Sequence, residues 1–146
     1  RIPGLVLDYF DPTPVGETQP AGAWMFLVSG ASVQVLLSGL DQRGTGPFEG
    51  WAHIGDQREI RWPDVTVSWV DTREFERARR QVPVRWSFAA GAGEMAGDLD
   101  ARATHIEAGE GEGPLLPVDA LFEVTGTLRM GEADYPVRGL VRHVQR

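Results

Sequence analysis

The three histidines are the side chains of this sequence best suited to proton transfer near neutral pH. His53 stands two residues after Trp51, and His143 stands two residues after Val141. Alternate residues of a strand share one face, so we expect His53 and His143 to project inward beside apolar side chains, where an imidazole can act as acid or base. The alternative for each is a strand histidine that bonds to the backbone or faces solvent. His105 adjoins an acidic segment and is not among the chosen site residues.

Aromatic rings are the second group of candidates. The stretch GWAHIGDQREIRWPDVTVSWV, residues 50–70, carries three of the five tryptophans. Rings that line a hollow, together with a few polar groups, have the usual composition of a small-molecule site. The alternative is that the rings fill the core, each burying about 150–250 Å². The rings expected to contact a ligand are Trp24, Trp51, Trp62, Trp69, Trp86 and Phe122.

The last predicted hairpin supplies polar candidates. Tyr135 is the third expected catalytic residue, and Arg138 is an expected ligand contact. A guanidinium at the mouth of a pocket can bind an enolate, carboxylate or carbonyl oxygen. The alternative is that Arg138 forms an ion pair on the outer surface.

Other charged residues suggest surface roles. Asp98 and Asp100 alternate with Arg102 and are interpreted as surface charge, because no carboxylate pair suits glycoside hydrolysis. The arginines at 73, 77, 79 and 80 fit one of two interpretations. They form either a surface that rests on anionic lipid or on a partner and delivers an apolar ligand, or a charge-balanced turn.

Residues 105–114 form an acidic, glycine-rich link without the ligand spacing of a calcium loop. The scattered histidines do not predict zinc. We therefore expect no metal and no cofactor.

The elements that position these residues are predicted to be strands. Apolar residues recur with period two, turn signals separate the runs, and eighteen glycines and ten prolines leave little room for helices. Residues 72–80 are the one segment expected to form a helical turn. The predicted strands span about residues 4–10, 23–29, 32–39, 48–54, 58–62, 65–71, 82–90, 98–106, 119–130 and 134–144.

Eight to ten antiparallel strands must pack as two sheets or close on themselves, and closure removes exposed edges. The sequence therefore predicts an all-β protein, an antiparallel meander that forms a closed or nearly closed barrel. A two-sheet sandwich has the same sequence signature and remains the alternative. At 146 residues the chain is one domain long.

Composition excludes several function classes. The net charge of -7 argues against binding to nucleic acid. All fourteen basic residues are arginines, so Schiff-base lysine chemistry is excluded, and the absence of cysteine excludes thiolates and disulfides. No apolar stretch reaches the roughly eighteen residues that a membrane span needs. Hydrolase, phosphate-loop and dinucleotide motifs are missing. The default expectation for localisation is the cytoplasm.

Three stretches carry a resemblance to a known family: GAWMFLVSGASVQVLLSGLDQRG, QVPVRWSF and VTGTLRMGEADYPVRGLVRHV. Over roughly residues 20–144 the chain resembles the lipocalin-like domains of the carotenoid 1,2-hydratase group, also called AttH-like or CrtC-like domains. The glycines at 126, 131 and 139 and His143 keep the rhythm of the family's last strand pair. Val124 and Thr125 stand where the family has tryptophan and glutamate, so no catalytic acid is carried over.

The resemblance implies a calycin-like, lipocalin-like barrel that binds a hydrophobic small molecule such as an isoprenoid, polyene or polyketide. It also implies cofactor-free hydration, cyclisation or isomerisation of that molecule. Family members usually contain two barrels, so a partner barrel domain or a homodimer is expected, and residues 1–146 are expected to form a single barrel. The alternative is a carrier without catalysis, or a structural barrel of a larger protein.

Overall fold

A closed barrel of eight antiparallel strands forms the fold in the computed structural model, which describes residues 21–39, 47–56 and 58–146. Each strand pairs with the next along the chain, and β1 closes the ring against β8. The prediction of an all-β closed barrel is confirmed. The strands are β1 Gly22–Ser29, β2 Val33–Gly39, β3 Pro47–Ile54, β4 Arg58–Phe75, β5 Arg80–Ala90, β6 Met95–Ala108, β7 Val118–Met130 and β8 Ala133–Gln145, with a short 3-10 turn at Gly91–Gly93.

Strand boundaries differ from the sequence prediction in two places. The predicted strands 58–62 and 65–71 are one strand, β4, which pairs with β3 in its first half and with β5 in its second. The helical turn expected at 72–80 is wrong. Residues 72–75 end β4 by pairing with β5, because cross-strand partners outweigh the weak helix propensity of so short a segment. The strand expected at 4–10 lies outside the described residues.

The core lies inside the barrel, where alternate residues of each strand meet. Met25 of β1, for example, pairs with Leu37 of β2 and Val141 of β8, and all three are fully buried. Full burial of such a side chain stabilises the fold by about 1.5–3 kcal/mol. The largest fully buried side chains are Trp86, Phe48 and Phe122.

Two strand glycines allow the barrel wall to bend tightly. A Cβ at Gly139 would overlap the backbone oxygen of Phe26, and a Cβ at Gly126 would overlap that of Asp98. Glycine inside a strand often marks such a close approach of neighbouring backbones. The glycine rhythm noted in the sequence at 126 and 139 therefore has a steric cause.

The wall is incomplete between β5 and β6. These strands pair only over residues 85–90 and 95–100, while residues 80–83 pair with β4 alone and residues 101 and 103–108 pair with β7 alone. Pro83 has no N–H to donate to a ladder, and β6 is irregular between Ala101 and Ala103. We call the gap between residues 80–84 and 101–108 the window.

A set of hydrogen bonds, which we call the clasp, joins the strands at the upper end of the barrel, where β4 turns into β5. Leu116 donates its N–H to Ala78 O at 3.1 Å. Arg80 donates to Leu116 O at 2.5 Å and to Arg146 O at 2.9 Å. Gln145 of β8 donates to the backbone oxygen of Gln81 in β5, a strand that is not its neighbour. The clasp therefore crosses the end of the barrel.

The described residues contain no helix that is both long enough and apolar enough to cross a membrane.

Candidate functional site

Five of the ten expected site residues are brought together inside the barrel or at its wall. They are Trp62, Trp69, Trp86, Phe122 and His143. They come from four strands, β4, β5, β7 and β8. Each lies two residues from at least one side chain on the same strand that belongs to the core or packs against it, so the period-two pattern of the sequence places them correctly.

Four of these rings form a continuous group, which we call the aromatic quartet. The Trp69 and His143 rings meet edge to face with centroids 5.4 Å apart, and the Trp86 and Phe122 rings do so at 5.2 Å. Trp69 and Trp86 are partners in the β4–β5 ladder, which joins the two pairs. Because β4 and β8 stand opposite each other in the eight-stranded ring, the Trp69–His143 contact spans the interior.

His143 is fully buried between small neighbours. Its ladder partners are Ala120 of β7 and Ala23 of β1, whose methyl groups offer the imidazole no hydrogen bond. Neither ring nitrogen has a hydrogen-bond partner among the described residues. Burial lowers the pKa of His143 to about 4, against an opposing effect of Asp119. At neutral pH the ring is therefore uncharged, with one nitrogen as donor and the other as acceptor.

Further buried polar atoms inside the barrel also lack partners within the described part of the chain. These are Nε1 of Trp62, Nε1 of Trp86 and Oε1 of Gln145. More than nine in ten buried polar groups in proteins are hydrogen-bonded, and an unsatisfied one costs about 1–3 kcal/mol. A polar group of a ligand, or a buried water, is the physical means of satisfying them. The indole N–H can only donate, so its partner must be an acceptor.

The expected inward orientation of Trp51 and His53 is wrong. Gly50 and Ala52 occupy the buried face of β3, which turns Trp51 and His53 outward. The Trp51 Nε1 donates to Glu59 at 2.7 Å, and the His53 ring lies 5.9 Å from the indole. The alternation of the strand correctly predicted that Trp51 and His53 share a face. It did not show which face is buried, because Gly50 and Ala52 are too small to give a hydrophobic signal.

Three other expected site residues also lie away from the quartet. Trp24 and Arg138 face outward, because their neighbours Ala23 and Val137 occupy the core face of β1 and β8. The inward orientation expected of Trp24 is therefore wrong as well. Tyr135 is half-buried and packs against the core, near the opposite end of β8 from His143.

Trp51 lines a groove of about 460 Å³ on the outer face of β2, β3 and β4. Glu59 fixes its indole, and hydrogen bonds from Trp51 and then Arg61 lower the pKa of Glu59. The groove is open to solvent. Its lining residues are Leu36, Ser38, Glu49, Gly50, Trp51, Arg61, Trp62 and Pro63.

A second groove, of about 630 Å³, lies at the window. At its base the Nε of Arg85 donates to Asp100 at 2.6 Å, and this bond raises the pKa of Arg85. Sequence reasoning missed this groove, since it interpreted the charges at 98–102 as plain surface. Pro83 inside a predicted strand was the one available signal. The groove is lined by Asp71, Arg73, Val84, Arg85, Asp100, Ala101, Arg102, Ala103 and Thr104.

No three histidine, aspartate or glutamate side chains within the described ranges are placed to hold a metal ion.

Comparison with known proteins identifies a likeness of fold. No protein-family model matches the chain, and no curated protein does. Among solved structures, kievitone hydratase from Nectria haematococca matches with a TM-score of 0.59 at 16% sequence identity. The match covers 86% of this chain and 40% of that chain, so the present chain spans less than half of the hydratase's length. The chain is therefore similar in fold to one barrel-sized part of a hydratase.

Proposed function

We propose that the barrel binds an apolar small molecule, of the isoprenoid, polyene or polyketide kind, against the aromatic quartet. The observation that carries this proposal is the set of buried polar atoms without partners, above all Nε1 of Trp86 and both ring nitrogens of His143. An oxygen of the ligand accepts from Nε1 of Trp86, while the rings contact its apolar body.

The proposed reaction is hydration or isomerisation of a conjugated double bond without a cofactor. A neutral imidazole can accept a proton from water at one nitrogen as the water oxygen adds to one carbon of the double bond, while the other nitrogen donates its proton to the conjugated carbon, so the ring stays uncharged. This suits His143, whose pKa of about 4 disfavours an imidazolium. The faces of Trp69 and Trp86 would stabilise positive charge that develops during a cyclisation.

The fold likeness supports the reaction class, because the matching structure is a hydratase by name. Its activity belongs to a chain of which the match covers 40%. For the present chain, therefore, the argument depends on the quartet and its unpartnered nitrogens.

A matched pair of probes tests binding. 2-Acetylnaphthalene and 2-ethylnaphthalene have nearly the same shape, but only the ketone accepts a hydrogen bond. We expect one saturable site in titration calorimetry and a preference for the ketone of about tenfold, which corresponds to roughly 1.4 kcal/mol. Trp86→Phe should abolish the preference. Trp24→Phe, the same change on the outer face, should preserve it.

The proposal is wrong if neither probe saturates a site, or if Trp24→Phe and Trp86→Phe have the same effect. For catalysis, His143→Gln should keep binding within about threefold and abolish turnover of any substrate found.

A second candidate is a non-catalytic carrier or structural barrel of a larger protein. The ring contacts across the interior favour it, since Trp69 touches His143 and Trp86 touches Phe122 without an intervening group. In this case residues 1–146 are one barrel domain whose partner is another barrel domain or a second copy. Buried waters would then satisfy the unpartnered atoms, and the ketone preference would be absent.

A further inference from the structure

The window opens the barrel wall beside the aromatic quartet. Arg85, in the last rung between β5 and β6, is the chain neighbour of Trp86. Thr104, which lines the groove, is the ladder partner of Phe122. The groove therefore borders the wall segments that carry Trp86 and Phe122, while both rings are fully buried and neither lines it. A ligand held against that pair would have its nearest outer surface here.

The groove carries more positive charge than the rest of the chain would suggest. Three arginines and two aspartates line it, in a protein with a net charge of -7. Asp98 adds a carboxylate close enough to act on Arg85 but does not line the groove. Three guanidinium groups therefore face three carboxylates, so the groove is locally balanced in charge within an acidic protein and repels an anion less than the rest of the surface does.

The hydrogen-bonding capacity of these arginines is only partly used. Arg85 is occupied by Asp100. Arg102 uses its Nε to donate to Thr125 at 2.7 Å, which leaves the fork of its two terminal nitrogens. Arg73 is exposed, and no ion pair joins it to another described residue. Free guanidinium forks match the geometry of a carboxylate, which can accept two parallel hydrogen bonds.

We infer that the window is a binding site for a carboxylate, held by Arg73 and Arg102, and that the ligand of this barrel is an unsaturated or aromatic carboxylic acid. The inference depends on the proposed function, because the apolar body of the acid lies against the quartet. It adds the chemical class of the ligand and the route by which it reaches the interior.

Protection of strand edges explains part of this combination of a proline, an irregular strand and charged side chains at the window. Proline, bulges and charges commonly blunt edges that would otherwise recruit another strand. Cationic side chains are the common choice for that purpose. Edge protection requires only that an exposed edge carry charge, whereas here two arginines with free forks line one groove from different strands, β4 and β6.

The test compares 5-(2-naphthyl)-5-oxopentanoic acid with its methyl ester, using titration calorimetry on the whole chain. We expect the acid to bind at least tenfold more tightly at low ionic strength, and the difference to shrink as salt is added. The double variant Arg73→Gln/Arg102→Gln should abolish this preference and leave the affinity for the ester within about twofold. Arg58→Gln/Arg61→Gln removes the same charge from another face and should preserve the preference.

The outcomes separate the two proposals. If 2-acetylnaphthalene and the ester both fail to bind, the proposed function fails. If the acid and ester bind equally well, the interior site stands and the carboxylate site is wrong. Loss of the preference in both double variants would attribute it to overall charge, and this result also overturns the carboxylate site.

Discussion

The imidazole of His143 is buried without a hydrogen-bond partner, and this makes its protonation costly. Burial lowers the pKa to about 4 in the folded protein, whereas the ordinary value is 6.5. The unfolded chain therefore binds a proton between these values while the folded chain does not. The stabilising contribution is present above pH 6.5 and is lost as the pH falls toward 4.

This difference predicts a measurable pH dependence of stability. Between pH 7 and pH 5 the wild type should lose about 2 kcal/mol of unfolding free energy relative to His143→Leu, which has no imidazole to protonate. Urea unfolding at both values of pH gives the comparison, in which the carboxylates common to both proteins cancel. His105→Gln removes an exposed imidazole and should follow the wild type. Parallel stability curves for the wild type and His143→Leu would contradict the buried, neutral state.

At the scale of single residues, the sequence predicted the inward or outward orientation of some side chains and not of others. Trp86 and His143 are inward as expected, because large apolar neighbours two residues away mark the same face. The faces of β3 could not be assigned, since Gly50 and Ala52 offer little hydrophobic signal beside Trp51. Burial of such small residues is decided by the curvature of the wall, a property of several strands together.

At the scale of elements, the strand glycines make the sharpest prediction. Gly139→Ala places a methyl group against the backbone oxygen of Phe26, and two ladders must shift to admit it. We expect a loss of about 2–4 kcal/mol in urea unfolding. Gly113→Ala is the matched control, because its added carbon meets only ordinary contacts, the nearest at 3.7 Å. A loss below about 1 kcal/mol for Gly139→Ala would show that the wall relaxes freely.

The strands themselves followed from the sequence, and their pairing ranges did not. Apolar and polar residues alternate along a strand when one of its faces is buried, so the strand can be predicted directly from its sequence. The place where β5 and β6 part coincides with Pro83 and with the irregularity at residues 101–103. Each feature is local, but their combined effect appears only when the strands are adjacent. The window and the clasp were therefore missed.

At the scale of the whole molecule, closure of the ring is a long-range event. Residues of β1 and β8 that pair with each other lie more than 100 residues apart in the sequence. The entropy of forming so large a loop must be lost before the contacts form, and folds dominated by such pairings fold in milliseconds to seconds.

We therefore expect refolding from urea, followed by tryptophan fluorescence in a stopped-flow instrument, to be slower than about 1 ms. Met25→Ala removes a buried contact at the β1–β8 seam, while Leu128→Ala removes one between β6, β7 and β8, which are close in sequence. If the contacts among β6, β7 and β8 form first and the seam contacts form after the transition state, Leu128→Ala slows folding more than Met25→Ala at equal loss of stability. The reverse order would place seam formation in the transition state.

Above their last shared rung, β5 and β6 separate, while the clasp ties the end of the β4–β5 hairpin to Leu116 and to the end of β8. The ladder bonds of the barrel are made by the backbone, so new side chains at the positions beside the window leave these bonds in place. A combinatorial library confined to residues 71–73, 84 and 102–104 can thus vary the ligand specificity of the protein while the barrel fold is kept. Because the ladders hold the fold and the side chains beside the window can vary, the chain is suited as a scaffold for engineered receptors.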